Sequence, residues 1–67
     1  MRTLFDSEAM AGYVAFSDRK VAKSVPVGDK VVCDLSQDGL PVGFEFVGVT
    51  QRQFETLAKA VAIRELA

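Results

Sequence analysis

Residues 30–48, KVVCDLSQDGLPVGFEFVG, constrain the fold of this chain more than any other stretch. The pair Asp38-Gly39 separates two apolar runs, and both residue types tolerate the positive φ angles of a tight hairpin turn. A two-residue loop sets three apolar pairs on one face: Leu35 with Val42, Cys33 with Phe44 and Val31 with Phe46. A three-residue loop with a glycine bulge keeps the same faces. The stretch therefore predicts a β-hairpin.

The other face of this hairpin receives two carboxylates, Asp34 and Glu45. In the two-residue register they lie diagonally across two strands, roughly 5–8 Å apart. Such a pair could hold a divalent cation or a small polar ligand, so Asp34 and Glu45 form the candidate ligand site. The competing interpretation is a solvated outer face with Lys23 as counter-charge, because no loop with calcium-binding spacing accompanies the pair.

Three more strands are expected before the hairpin, at residues 1–5, 13–17 and 21–27. Pro26 cannot donate a ladder hydrogen bond, so its strand should lie at an edge or carry a bulge. A three-residue turn at 28–30 would set Val25 against Cys33 and Val27 against Val31. Such short connections favour antiparallel neighbours, because parallel strands need long crossovers.

A helix is expected over residues 50–66. Thr50 and Gln53 fit a capping box, and Phe54, Leu57, Ala58 and Val61 recur at helical spacing. We therefore expect an α+β fold, an antiparallel β-meander of four to five strands with one C-terminal helix packed across one face. The chain should form a single domain over 1–67, with the meander in 1–48 and Phe44 between the sheet and Phe54 or Leu57.

Composition excludes several functional classes. The chain has 67 residues, one cysteine and no histidine, so an internal disulfide is excluded and neither a structural zinc nor any cofactor is expected. Without histidine the usual general base is missing, which predicts a protein that is not an enzyme. The net charge of −1 gives no preference for nucleic acid or membrane. No long apolar run occurs, so a cytoplasmic location is expected.

The predicted helix carries a second, weaker apolar stripe. Ile63 lies about 180° from Phe54 on a helical wheel, with Ala60 and Ala67 near it. A chain this short hides few of its apolar residues in one core, so a homodimer contact through Ile63, Leu66 and Ala60 is predicted. The alternatives are a different protein docked there, or dimerisation through the outer sheet face with Tyr13, Val32 and Val47.

A series of short motifs runs along the first 48 residues: Phe5-Asp6, Glu8-Ala9, Tyr13-Val14, Val21-Ala22-Lys23, Asp34-Leu35, Asp38-Gly39 and Gly43-Phe44-Glu45-Phe46. In this order they resemble the small bacterial and phage domain-of-unknown-function 2283 family. Two positions depart from the family pattern, with Met10 where Asp is usual and Gly12 where a large aliphatic residue is usual. The family has no established activity. Some members sit beside small toxin-like proteins, which by analogy suggests an antitoxin or inhibitor role.

Together these observations predict a small non-enzymatic protein-binding domain, antitoxin-like or a phage-encoded inhibitor of a host or toxin protein. The expected partners are a second copy and another protein, with nucleic acid and membrane not expected. The alternative function is a small-ligand or divalent-metal binding domain that uses Asp34 and Glu45.

Overall fold

One antiparallel sheet and one helix make up the fold. The computed structural model describes the backbone of residues 1–66 and the side chains of residues 1–62. The strands are β1 (Arg2–Asp6), β2 (Ala11–Ala15), β3 (Lys23–Gly28), β4 (Val31–Leu35) and β5 (Pro41–Val47), and the helix is α1 (Gln51–Leu66). The predicted α+β class, with a C-terminal helix on an antiparallel sheet, is confirmed.

The strand order departs from that of a sequential meander. The order is β1-β2-β5-β4-β3, so β2 and β3 are not neighbours and β5 lies between β2 and β4. After β2 the chain crosses to the far edge of the sheet and returns through two hairpins. In this arrangement Val14 of β2, which has no exposed surface, lies opposite Phe44 of β5. The most apolar strand therefore becomes the central one.

The β4–β5 hairpin follows the predicted register except next to the turn. Val31 lies opposite Phe46 and Cys33 opposite Phe44, as predicted. Leu35, however, lies opposite Pro41 instead of Val42, and the register shifts between Asp34 and Leu35. The two-residue loop is therefore wrong and the three-residue alternative is right. The Ser36 amide donates to the Leu40 carbonyl, and Gly39 takes a φ of +82° in the loop between them.

Strand β3 forms the edge at which proline was expected. Val25 lies opposite Cys33, but Gly28, and not Val27, lies opposite Val31. The register shifts between Pro26 and Gly28, which leaves Val27 as the extra residue of a bulge with 56% of its surface exposed. Proline at a bulged edge costs no ladder hydrogen bond.

The helix begins with the predicted capping box. The Gln53 amide donates to Thr50 Oγ1 at 3.1 Å, and the Thr50 amide donates to Gln53 Oε1 at 2.9 Å. From there the apolar stripe faces the sheet, with Phe54 and Ala58 buried and Leu57 and Val61 half-buried. The buried core cluster comprises Val14, Phe46, Val49, Phe54 and Ala58.

Phe54 fixes where the helix docks. Its ring lies between those of Phe5, at a centroid distance of 5.5 Å, and Phe46, at 6.0 Å. Phe46 thus meets the helix ring where Phe44 was expected. Phe44 instead packs edge-on against Phe16 at 5.5 Å. The residue beneath Phe54 is Gly12, where a Cβ atom would lie 2.3 Å from the ring.

The two departures from the family pattern have structural explanations. Gly12 leaves the space that Phe54 fills, so a large aliphatic residue there and this helix position exclude each other. Met10 has a φ of +54°, a left-handed conformation in which Asp and Asn are enriched among non-glycine residues. The usual Asp at position 10 therefore suits the backbone of the β1–β2 turn.

Candidate functional site on the uncovered sheet face

The helix covers one face of the sheet, and the other face carries three rows of side chains. These rows follow from the strand pairings. We call this surface the open face. Its middle row comprises Leu4, Tyr13, Glu45, Val32 and Pro26. One flanking row comprises Arg2, Ala15, Gly43, Asp34 and Ser24, and the other comprises Asp6, Ala11 and Val47.

A chain of hydrogen bonds crosses the open face from β2 to β3. Tyr13 Oη donates to Asp34 Oδ2 at 2.8 Å, and Ser24 Oγ donates to Asp34 Oδ1 at 2.6 Å. Tyr13 and Asp34 stand on strands separated by β5, so the tyrosine must pass over β5 to reach the carboxylate. It does so above Gly43, where a Cβ atom would lie 2.6 Å from Tyr13 Oη. These hydrogen bonds join side chains of three strands, β2, β4 and β3, and Gly43 leaves room for Tyr13 to cross β5.

The surroundings of the Tyr13 hydroxyl group keep Tyr13 neutral. Burial, followed by the hydrogen bond to Asp34 and the negative charges of Asp34 and Glu45, raises the pKa of Tyr13 from 10.0 to about 12. A neutral phenol can donate to the carboxylate, whereas a phenolate would repel it. Tyr13 is therefore a hydrogen-bond donor to Asp34 throughout the neutral pH range.

One interpretation of the sequence placed Asp34 on a solvated sheet face, whereas the structure buries it. Only 8% of its surface is exposed, and its partners are the Tyr13 and Ser24 hydroxyls in place of Lys23. The register does set Asp34 and exposed Glu45 diagonally on the same face. Within the part of the chain that the structure describes, no group of three or more His, Cys, Asp or Glu side chains could hold a metal ion. A ligand site at Asp34 and Glu45 stays a prediction.

Sequence reasoning missed the hydroxyl partners of Asp34. The expected pairing of Val25 with Cys33 already places Ser24 beside Asp34 on neighbouring strands, so that signal was present. Tyr13 could not be assigned in the same way, because its approach depends on β2 pairing with β5. That contact joins residues 21 positions apart in the chain.

The open face also exposes apolar surface. Leu4 is 76% exposed and Val47 is 38% exposed, while Tyr13 and Val32, which flank the exposed Glu45 in the middle row, are half-buried. Tyr13, Val32 and Val47 lie on this face as expected, and Leu4 extends the set to the β1 edge. Exposed apolar surface with polar residues around it is typical of interaction sites, and here the exposed Glu45 lies within that surface, between Tyr13 and Val32.

The remaining candidate residues lie elsewhere. Cys33 is buried on the helix-covered face, and burial, with the nearby charge of Asp34, raises the pKa of its thiol. Ala60 is exposed on the helix, whereas the side chains of Ile63 and Leu66 lie outside the described residues. No helix in residues 1–66 combines the length and apolar character that crossing a membrane requires.

The fold and this face define a small α+β domain with a one-sided sheet. The model of a family described as proteins of unknown function (DUF2283) matches residues 2–49 of the chain. The protein belongs to this family. The match covers all five strands and ends before α1 begins. No curated protein and no solved structure matches the chain significantly.

Proposed function

We propose that the chain is a small non-enzymatic protein-binding domain and that its open face is the contact surface. The observation that carries the proposal is the apolar surface on the sheet face opposite α1, where Leu4 and Val47 are exposed and Tyr13 and Val32 are half-buried. The partner is a protein, as it would be for an antitoxin or for a phage-encoded inhibitor of a host or toxin protein.

The rigidity of this face supports the proposal. The hydrogen bonds of Tyr13 and Ser24 to Asp34 hold side chains on three strands in place before any partner arrives. Side chains that are already ordered lose less conformational entropy on association, so a preorganised surface binds more tightly for the same area. Tyrosine is also enriched among the residues that dominate binding energy at protein interfaces.

The charges around the apolar surface favour a partner with cationic residues. Glu45 lies in the middle row and is exposed, and Asp6 stands at the end of β1. Arg2 is the basic residue of these rows, and it already pairs with Asp18 at 3.0 Å. Complementary charge steers association and rejects wrong partners.

The proposal is tested by capturing partner proteins from the native cell with the wild-type chain and with two matched variants. Val47→Lys places a charge in the exposed apolar surface, and Thr56→Lys adds the same charge at an exposed helix position. We expect one protein to be retained by the wild type and by Thr56→Lys but lost with Val47→Lys, and the purified pair to bind in a calorimetric titration. Equal retention by all three chains would show that the open face is not the contact.

A further inference from the structure

The two edges of the sheet differ in their protection against further strand pairing. The β3 edge carries Pro26 and a bulge between Pro26 and Gly28, both of which discourage the addition of a strand. The β1 edge has no proline and pairs with β2 in five unbroken steps, and four of its five residues are exposed. An edge without proline or a bulge can act as a template for a strand from another chain.

The direction of the peptide groups along β1 follows from the neighbouring ladder. The Phe16 amide donates to the Val42 carbonyl, so the even-numbered residues of β2 bond to β5. The peptide groups of consecutive strand residues point to opposite sides of the strand. The peptide groups of the odd-numbered residues of β2 therefore point towards β1, and those of Tyr13 and Leu4 form hydrogen bonds with each other. The amide and carbonyl groups of Thr3 and Phe5 therefore point outward from the sheet.

We propose that β1 pairs antiparallel with β1 of a second copy, about a two-fold axis at Leu4. In this register Thr3 lies opposite Phe5 of the partner subunit, and the outward peptide groups of these residues form hydrogen bonds. Leu4 then lies opposite Leu4 of the partner subunit in a non-hydrogen-bonded pair, the kind in which side chains approach most closely. The result is one continuous sheet of two copies.

Charge complementarity selects the second copy as the occupant of this edge. In the same register Arg2 lies opposite Asp6 of the partner subunit, and the symmetry repeats the pair. Shifting the axis to Thr3 or Phe5 keeps the hydrogen-bond directions but sets Leu4 opposite a charged residue. Opposite charges across a strand pair stabilise it, so the strand is self-complementary only about Leu4.

The existing contacts of Arg2 and Asp6 do not prevent these residues from forming an ion pair between the two copies. Arg2 binds Asp18 in a pair whose side chains are 76% and 92% exposed, and exposed ion pairs contribute little. Asp6 accepts the Glu8 and Ala9 amides through Oδ1, which leaves Oδ2 for an arginine. Self-pairing would also cover Leu4, the most exposed of the large apolar side chains described.

This inference goes beyond the proposed function, because it concerns an edge and a second copy in place of a face and a foreign protein, although Leu4 belongs to both surfaces. The two can fail separately. Thr3→Pro removes an outward amide without touching the β1–β2 ladder, so it should abolish the dimer while retaining the captured protein. Val47→Lys lies on β5, two strands from the β1 edge, and should leave the dimer intact while losing the captured protein.

Light scattering at micromolar concentration provides the first test. We expect twice the monomer mass for the wild type and for Val47→Lys, and the monomer mass for Thr3→Pro with an unchanged circular dichroism spectrum. A monomeric wild type would overturn the inference, and so would a dimer that survives in folded Thr3→Pro.

Disulfide trapping tests the register without relying on the proline variant. Cα atoms of a non-hydrogen-bonded antiparallel pair lie about 4.5 Å apart, within the range of roughly 4.4–6.8 Å that a disulfide spans. With Cys33→Ser in the background, Leu4→Cys should therefore cross-link under diamide several-fold faster than Val47→Cys. Equal cross-linking rates at the two positions would contradict the proposed register.

Discussion

The contact between Gly12 and Phe54 determines how the helix is held on the sheet, and Gly12→Ala tests it. A Cβ atom at position 12 would lie 2.3 Å from Phe54 Cδ1 and 2.4 Å from Cε1, where ordinary contacts begin at 3.4 Å. The ring would have to move by about 1 Å. Phe54 is only 4% exposed and lies between Phe5 and Phe46, so it has no free direction in which to move.

Two opposing effects set the magnitude. Overpacking of this kind costs about 1–3 kcal/mol. Replacing glycine by alanine restricts the unfolded chain, which recovers about 0.4–1 kcal/mol. We expect Gly12→Ala to lower the free energy of unfolding by about 1–2 kcal/mol, a large fraction of the stability of a small domain. Urea unfolding followed by circular dichroism measures it.

A double-mutant cycle isolates the contact. Phe54→Ala alone should cost about 3–5 kcal/mol, and a fixed concentration of trimethylamine oxide would keep all four chains folded. In the Phe54→Ala background the added methyl group has room, so Gly12→Ala should become neutral or stabilising. The coupling energy should therefore exceed about 1 kcal/mol. If Gly12→Ala costs the same in both backgrounds, the helix does not dock on Gly12.

Two further predictions concern the open face. Because the folded-state pKa of Tyr13 is raised from 10.0 to about 12, its contribution to stability is complete below pH 10 and is lost as pH rises toward about 12. Tyr13→Phe should flatten the fall in melting temperature over that range, and an ordinary tyrosinate titration of the single tyrosine in the folded chain would refute this. Millimolar magnesium, calcium or manganese should leave the melting temperature unchanged, since both Asp34 oxygens already accept hydroxyl groups. A saturable rise that disappears in Asp34→Asn would instead support the metal-binding alternative.

Local signals in the sequence predicted the local structure. The Asp38-Gly39 pair located the hairpin, and alternation gave the face of each strand residue. Thr50 and Gln53 marked the start of the helix because a capping box depends only on residues three positions apart. The choice between a two-residue loop and a three-residue loop with a bulge stayed open, since both loops keep the same faces and the apolar pattern does not distinguish them.

The strand order could not be read from the same signals. The alternation of apolar and polar residues assigns each side chain to a face of the sheet, but it does not say which strands are neighbours. The sequence is equally compatible with β2 and β3 as neighbouring strands. The placement of β5 between β2 and β4 depends on the pairing of Tyr13 with Glu45 and Val14 with Phe44, which are distant in the chain. The hydrogen bond from Tyr13 to Asp34 was missed for the same reason, because Tyr13 reaches Asp34 only in this strand order.

The role of Gly12 depended on a contact outside the strands. Glycine in a strand usually marks a bulge or a close approach, and here the approaching group is Phe54, more than 40 positions later in the chain. The same applies to the exposed edge. A strand was predicted at residues 1–5, but the outward direction of the Thr3 and Phe5 peptide groups could be derived only from the observed β2–β5 ladder.

Binding of a protein to the open face can be mapped by the amide chemical shifts of the isotope-labelled chain titrated with its captured partner. We expect the perturbed amides to cluster at Tyr13, Val32, Glu45 and Val47, and the exposed helix positions around Thr56 to stay unchanged. Perturbations confined to the helix, with the amides of the open face unmoved, would contradict it.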